Sequence, residues 1–196
     1  MQKNNHYEEL YDRVQKTANS RFNSHRRLTH HNHASLWTIT CFSTGLIIIP
    51  LLQAFGLETR FSSEYTNFIQ VVLAIVILII SIILNMTNFA VRADRIHSCG
   101  MTLNAFARKV HRCINEPEST ADYDQLVSEY EGVLQQYENH SNIDYLFTKL
   151  RMTNYYKNPW WFPFHVRLIY SAQFLPYMAL LLLEFSWVYL LVTPAT

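Results

Sequence analysis

The sequence predicts an all-α membrane protein with two or three transmembrane helices and a cytoplasmic helical bundle or hairpin. Three observations predict it. Glycine is scarce, at 4 of 196 residues, where β-rich and nucleotide-binding α/β folds need glycine turns. The apolar residues gather in long uncharged blocks. Between those blocks apolar positions recur every three or four residues, and no alternating strand pattern occurs. Charge is balanced, with 16 Lys+Arg against 15 Asp+Glu, which argues against nucleic-acid binding through bulk electrostatics. Three cysteines, Cys41, Cys99 and Cys113, lack metal-ligand spacing and predict neither a disulfide scaffold nor a zinc site.

The N-terminal region 1–33 is an expected cytoplasmic helix, with Tyr7, Leu10, Val14, Ala18 and Phe22 on one face. Region 34–91 is an expected membrane hairpin whose spans, 34–57 and 67–91, contain no charge. At about 1.5 Å per residue, roughly 20 apolar residues cross a ~30 Å hydrocarbon core. The first span starts too late, and lacks a small-residue cleavage site, to read as a removable signal peptide. Region 92–158 is an expected cytoplasmic hairpin. Its first helix continues the second span without a stop and carries Ile96, Cys99, Leu103, Phe106, Val110 and Cys113 as a heptad-like seam. Pro117 breaks that helix, and Ser119 with Asp122 resembles a capping arrangement for the next. That helix aligns Tyr123, Leu126, Tyr130, Val133 and Tyr137, while its acids Asp122, Asp124, Glu129, Glu131 and Glu138 read as a solvated face. A polar turn at 138–142 leads to a short helix with Leu146, Phe147 and Leu150. Region 159–196 opens with Pro159-Trp160-Trp161-Phe162-Pro163-Phe164, an interfacial aromatic anchor, and continues as a third candidate span over 168–192.

Lys and Arg set the orientation. Lys3, Arg13, Lys16, Arg21, Arg26 and Arg27 precede the first span, Arg60 alone lies between the first two, and none follows the third. Positive charge stays cytoplasmic, so the N-terminus and 92–158 are expected inside. The loop at 58–66 and the C-terminal end are expected outside, and the cysteines stay reduced.

Polar residues inside hydrocarbon are costly without partners or water. On the second span Gln70, Ala74, Ile77, Ser81, Asn85 and Asn88 share one face, polar at both ends and apolar between, and Arg92 and Arg95 continue it. Such a strip suits a pore wall with a dewetting constriction; the same groups serve equally as interhelical glue. A pore built from so few spans requires a symmetric homo-oligomer, with a tetramer as the expected form. Thr38, Cys41, Thr44 and Gly45 suit close helix contact in the first span. Glu184 is an intramembrane acid, with Tyr177 or Ser171 as companions; a functional role and a protonated group buried between subunits are both open to it.

The basic cluster Arg21, Arg26 and Arg27, with Arg92 and Arg95, has two readings. One is the positive-inside signal in contact with anionic headgroups. The other is a receptor for the phosphates of a nucleotide or short oligonucleotide, since guanidinium forks match phosphate oxygens. His30, His31 and His33 have no accompanying acids or cysteines to make a metal site. P-loop, GxSxG, HExxH and CxxC motifs are absent, so no catalytic residue, metal or cofactor is expected and the chain does not read as an enzyme.

The order of these features resembles the SLATT family, two-span effectors of bacterial conflict systems. The carrying residues are Tyr11 and Ala18, Arg21-Phe22, Arg26-Arg27-Leu28, the Ser/Thr-containing first span, the tight loop, and the stretch from Asn139 to Tyr145. The resemblance covers roughly residues 5–155, and the third span departs from the two-span core. It implies an antiphage effector of the bacterial inner membrane, encoded beside a nucleotidyltransferase or nucleotide-sensing partner and disrupting the membrane when a nucleotide signal changes. The expected function is therefore an oligomeric pore gated by a nucleotide-derived ligand on its cytoplasmic side. The alternative is a non-conducting membrane scaffold that recruits a cytosolic enzyme.

Overall fold

The computed structural model describes residues 2–56, 60–116 and 122–193. Among them are seven helices: α1 (Gln2–Ala54), α2 (Ser63–Thr87), α3 (Phe89–Asn115), α4 (Tyr123–Gln135), α5 (Asn142–Arg151), α6 (Phe162–Ala172) and α7 (Leu175–Val192). No strand occurs among the described residues. The chain forms two compact units, a bundle unit of residues 1–29 and 90–170 and an apolar unit of residues 30–89 and 171–196.

The N-terminal helix and the first span are one 53-residue rod. No Gly or Pro lies between Gln2 and Thr44, so nothing in that stretch interrupts the backbone ladder. In the bundle unit, α1 contributes Tyr7, Leu10, Val14 and Ala18 to the core. Helix α3 adds Cys99, Leu103, Phe106, Ala107 and Val110, and α4 adds Leu126 and Tyr130. These are the stripes the periodicity predicts, and burying each large side chain stabilises the fold by about 1.5–3 kcal/mol. Gly100 lets α1 approach α3, because a Cβ there would lie 3.0 Å from the Phe22 ring. Asp122 caps α4 by accepting from the Asp124 N–H at 3.3 Å; Ser119 lies outside the described residues. Helix α5 buries Ile143, Asp144 and Thr148, more polar than the Leu146, Phe147 and Leu150 stripe predicts. Helix α6 turns Val166 inward and leaves Phe164 and Leu168 exposed, as is Trp160 in the turn before it.

In the apolar unit, Ser35, Thr38, Phe42, Gly45 and Ile49 form the buried face of α1. Arg60 N–H donates to the Leu191 carbonyl at 3.2 Å, and Phe61 stacks on Trp187 with centroids 5.8 Å apart. At the other end His31 of α1 stacks on Phe174, just before α7, with centroids 4.5 Å apart. Helix α7 therefore runs beside α1 in the same direction and covers the same thickness. The structure has three helices long and apolar enough to cross a membrane. The protein is a membrane protein.

Two breaks differ from the expected spans. The stretch 168–192 is divided by a turn at Gln173 and Phe174, and α7 starts with Pro176 in its first turn, where the missing N–H costs nothing. The run from α2 into α3 is interrupted at Asn88, which adopts the left-handed conformation (φ 48°) and whose N–H donates to the Asn85 carbonyl at 3.2 Å. Asparagine tolerates that region better than other non-glycine residues, so the polar residue that reads as part of a continuous stripe ends the helix.

Candidate functional site

At about 100° per residue, half of the stripe on α2 falls on the packed face of that helix and half beside it. Thr66, Ile69, Leu73, Ile80, Leu84 and Thr87 mark the packed face. Gln70, Ile77 and Ser81 of the stripe lie on it as well and are half-buried; Ala74, Asn85 and Asn88 are exposed. The Gln70 amide donates to the Leu46 carbonyl of α1 at 2.9 Å, the interhelical role open to it from the sequence. The Asn88 amide returns to its own helix end, donating to the Met86 carbonyl at 3.3 Å. The most apolar 18-residue window of α2 contains no buried residue.

The arginines fall into three groups. Arg27 is fully engaged: its Nε and Nη2 donate to Oδ1 and Oδ2 of the buried Asp144 at 2.9 and 3.0 Å. Asp144 also accepts from the Ser141 N–H at 2.9 Å, which fixes the start of α5. A bidentate pair of this kind is strong, and removing one partner leaves a costly buried charge.

Arg21 and Arg92 converge on the chain just past α4. Arg21 is only 2% exposed and its Nη1 donates to the Glu138 carbonyl, while its buried Nε has no hydrogen-bond partner in the structure. Arg92 Nε donates to both Glu138 carboxylate oxygens at 3.0 Å. Cations are favoured at a helix C-terminus, where carbonyls lack partners. Glu138 is thus not simply one of the solvated acids of α4. His140 lies in the same region. Burial, and secondarily the Arg21 charge, hold its imidazole below the usual histidine range despite Asp144.

Arg26 and Arg95 pair with no carboxylate among the described residues. Arg95 and Arg92 line a cleft of about 120 Å³ with Gln136, Tyr137 and Glu138. Arg26 acts on Arg151, whose charged form is disfavoured by partial burial and then by this neighbouring like charge. The cluster can present guanidinium N–H groups to an anion from Arg92 and Arg95, and from Arg26 and Arg151, while Arg27 holds the scaffold.

Sequence reasoning passed over Asp144 and Glu138 as arginine partners. A signal for Asp144 was present: it stands three residues after Ser141, at capping-box spacing. Of the histidines, His25 Nδ1 lies 3.1 Å from the Ala93 carbonyl, and His31 is stacked between Phe89 and Phe174. Among the described residues no group of three His, Cys, Asp or Glu side chains is placed to hold a metal. Glu184 lies against Gly45 of α1. Tyr177, expected as its companion, has its hydroxyl 3.4 Å from His31 Nδ1 instead.

No curated protein and no solved structure matches the chain. A family model matches residues 3–190, a range that takes in nearly all of α7 and so includes the third hydrophobic helix in the domain. The chain belongs to the SMODS and SLOG-associating 2TM effector domain family 5.

Proposed function

We propose that copies of this protein assemble in the bacterial inner membrane as a pore-forming effector of antiphage defence. Residues 1–33 and 92–158 face the cytoplasm in this reading, and the assembly is a tetramer. The observation that carries it is the exposure of α2: Val72, Val76, Ile79 and Ile83 on one side, and Ala74, Asn85 and Asn88 on another, have no cover within the chain. In an oligomer the first set meets lipid. The second set, with Gln70, Ile77 and Ser81 at its border, turns toward the axis and supplies amides to water at one end and an apolar constriction along its middle. Symmetric closure is required, because one subunit cannot enclose a water column.

The gating ligand is a nucleotide or short oligonucleotide supplied by a partner nucleotidyltransferase, in keeping with the association named in the family description. Arg92, Arg95 and Arg26 receive its phosphates, while the buried Arg21 acts from beneath by holding the Glu138 carbonyl. The cleft at Arg92 and Arg95, about 120 Å³, suits one phosphate group rather than a whole nucleotide. Phosphate competes with Glu138 for Arg92, so binding exchanges an exposed ion pair of low net worth for a stronger charge-assisted one. Arg27 acts by holding Asp144 and with it the start of α5. For a ligand to gate, it must bind the two states with different affinity.

A second reading, a non-conducting scaffold that recruits a cytosolic enzyme, draws on the Gln70 bond to Leu46, which uses the first amide of the stripe as glue. Currents across planar bilayers separate the two. Reconstituted protein is expected to conduct, with ligand-dependent open probability across a panel of cyclic and linear oligonucleotides; Asn85→Leu is expected to change unit conductance. Absence of current with every ligand, together with co-purification of one cytosolic partner, contradicts the pore and supports the scaffold.

A further inference from the structure

Glu184 is the tenth of the 18 residues of α7, at mid-span, and is 8% exposed. Its Oε2 is buried and has no hydrogen-bond partner in the structure. Its Oε1 occupies the space a side chain at position 45 would need, and a Cβ added to Gly45 would overlap it. Gly45 therefore makes room for the carboxyl group on α1. Beside the pair is a cleft of about 270 Å³ lined by Trp37, Thr40, Cys41, Thr44, Phe185 and Val188, among others. Cys41 is the titratable group that faces the acid from α1. No Lys, Arg, His or second acid occurs in 34–57, in 67–91 or elsewhere in α7, apart from Glu58 and the loop that lie beyond these stretches.

A carboxylate at this depth would be an uncompensated charge in hydrocarbon, which is costly, whereas a carboxylic acid is a neutral group with a donor to offer. These apolar stretches supply no cation to balance it. We propose that Glu184 is a proton-binding site within the bilayer, its acid made accessible through the α1 cleft from the lipid side. The inference is independent of whether the protein conducts. It makes the acid a site with a ligand, the proton, rather than a group that only joins helices.

A hydrophobic carbodiimide is the direct probe. The acid proton moves to one diimide nitrogen while the carboxyl oxygen bonds to the central carbon, giving an O-acylisourea. In a water-poor site the acyl group then migrates to nitrogen and leaves a stable N-acylurea. Nothing departs, so the mass gained equals the mass of the reagent. Full-length protein in liposomes is treated with dicyclohexylcarbodiimide and mapped by peptide mass spectrometry. One adduct at Glu184 is expected, lost in Glu184→Gln and unchanged by added Na+ or Li+. Because the adduct is read on the wild-type chain, folding of the variant does not decide the outcome. An unmodified Glu184, equal labelling by a water-soluble carbodiimide, or protection by Na+ or Li+ would each overturn the proposal, the last in favour of a metal-cation site.

Discussion

The two units of this protein treat the same side-chain chemistry in opposite ways. In the bundle unit, Leu103, Val110 and Val14 are completely hidden. Several polar groups beneath its surface pair with one another, Ser20 with Thr148 at 2.9 Å and Asn23 with the Asp144 carbonyl at 3.2 Å, although Arg21 Nε and Ser24 Oγ have no partner in the structure. In the apolar unit, Phe68, Val71 and Leu78 are 60% exposed or more. A water-soluble protein does not leave so large a contiguous apolar surface uncovered. The difference identifies the surroundings of each unit: water for the bundle, lipid or further apolar helices for α2. Substitutions should follow the same division.

The largest effect is expected at the buried ion pair. Arg27→Ala leaves Asp144 charged and enclosed, which should destabilise the bundle by about 3–5 kcal/mol, read as a fall in thermal midpoint. Arg27→Met combined with Asp144→Leu should recover most of that loss, since neither charge is then buried. A comparable loss in the single and double variants would show that the pair does not carry the stability assigned to it.

Next comes the core. Leu103→Ala should cost about 2–5 kcal/mol, whereas Leu78→Ala in detergent should cost under about 0.5 kcal/mol, as expected for an exposed site away from special features. Equal effects would remove the contrast between the units. Gly100→Ala should have a smaller net effect than Leu103→Ala, because displacement of the Phe22 ring is set against a gain of about 1 kcal/mol in helix propensity.

The smallest effect concerns pH. The His140 imidazole is held below its ordinary range, so the unfolded chain takes up the proton first as pH falls. Stability contributed by neutral His140 is therefore present above the unfolded value of about 6.5 and declines below it. His140→Gln should flatten that acid limb of the stability profile below about pH 6.5, measured by denaturant titration. An unchanged slope would assign the limb to other groups.

The sequence made some of this legible and hid the rest for physical reasons. The core stripes were readable because burial on a helix repeats every three or four residues, and Tyr7, Leu10, Val14 and Ala18 obey that rule. The spans were readable because hydrocarbon excludes charge over a fixed thickness. Breaks were less so. Asn88 looked like one more amide in a stripe, since its left-handed backbone has no periodic signature, and the turn at Gln173 and Phe174 was hidden inside a continuous apolar run. The arginine cluster was visible as charge, but its sorting was not. Asp144 lies more than a hundred residues beyond Arg27, and no local spacing connects them. The placement of Gly45 beneath Glu184 is likewise a contact between distant segments.

Thiol accessibility along α2 tests the proposed pore most directly. In a background lacking Cys41, Cys99 and Cys113, single cysteines replace Ala74, Asn85, Val72 and Ile79 in turn, and a charged thiol reagent is applied during current recording. Modification should alter current at Ala74→Cys and Asn85→Cys and leave it unchanged at Val72→Cys and Ile79→Cys, which lie on the opposite side of the helix. The reverse pattern, or no distinction between the two faces, would contradict a water path along this stripe.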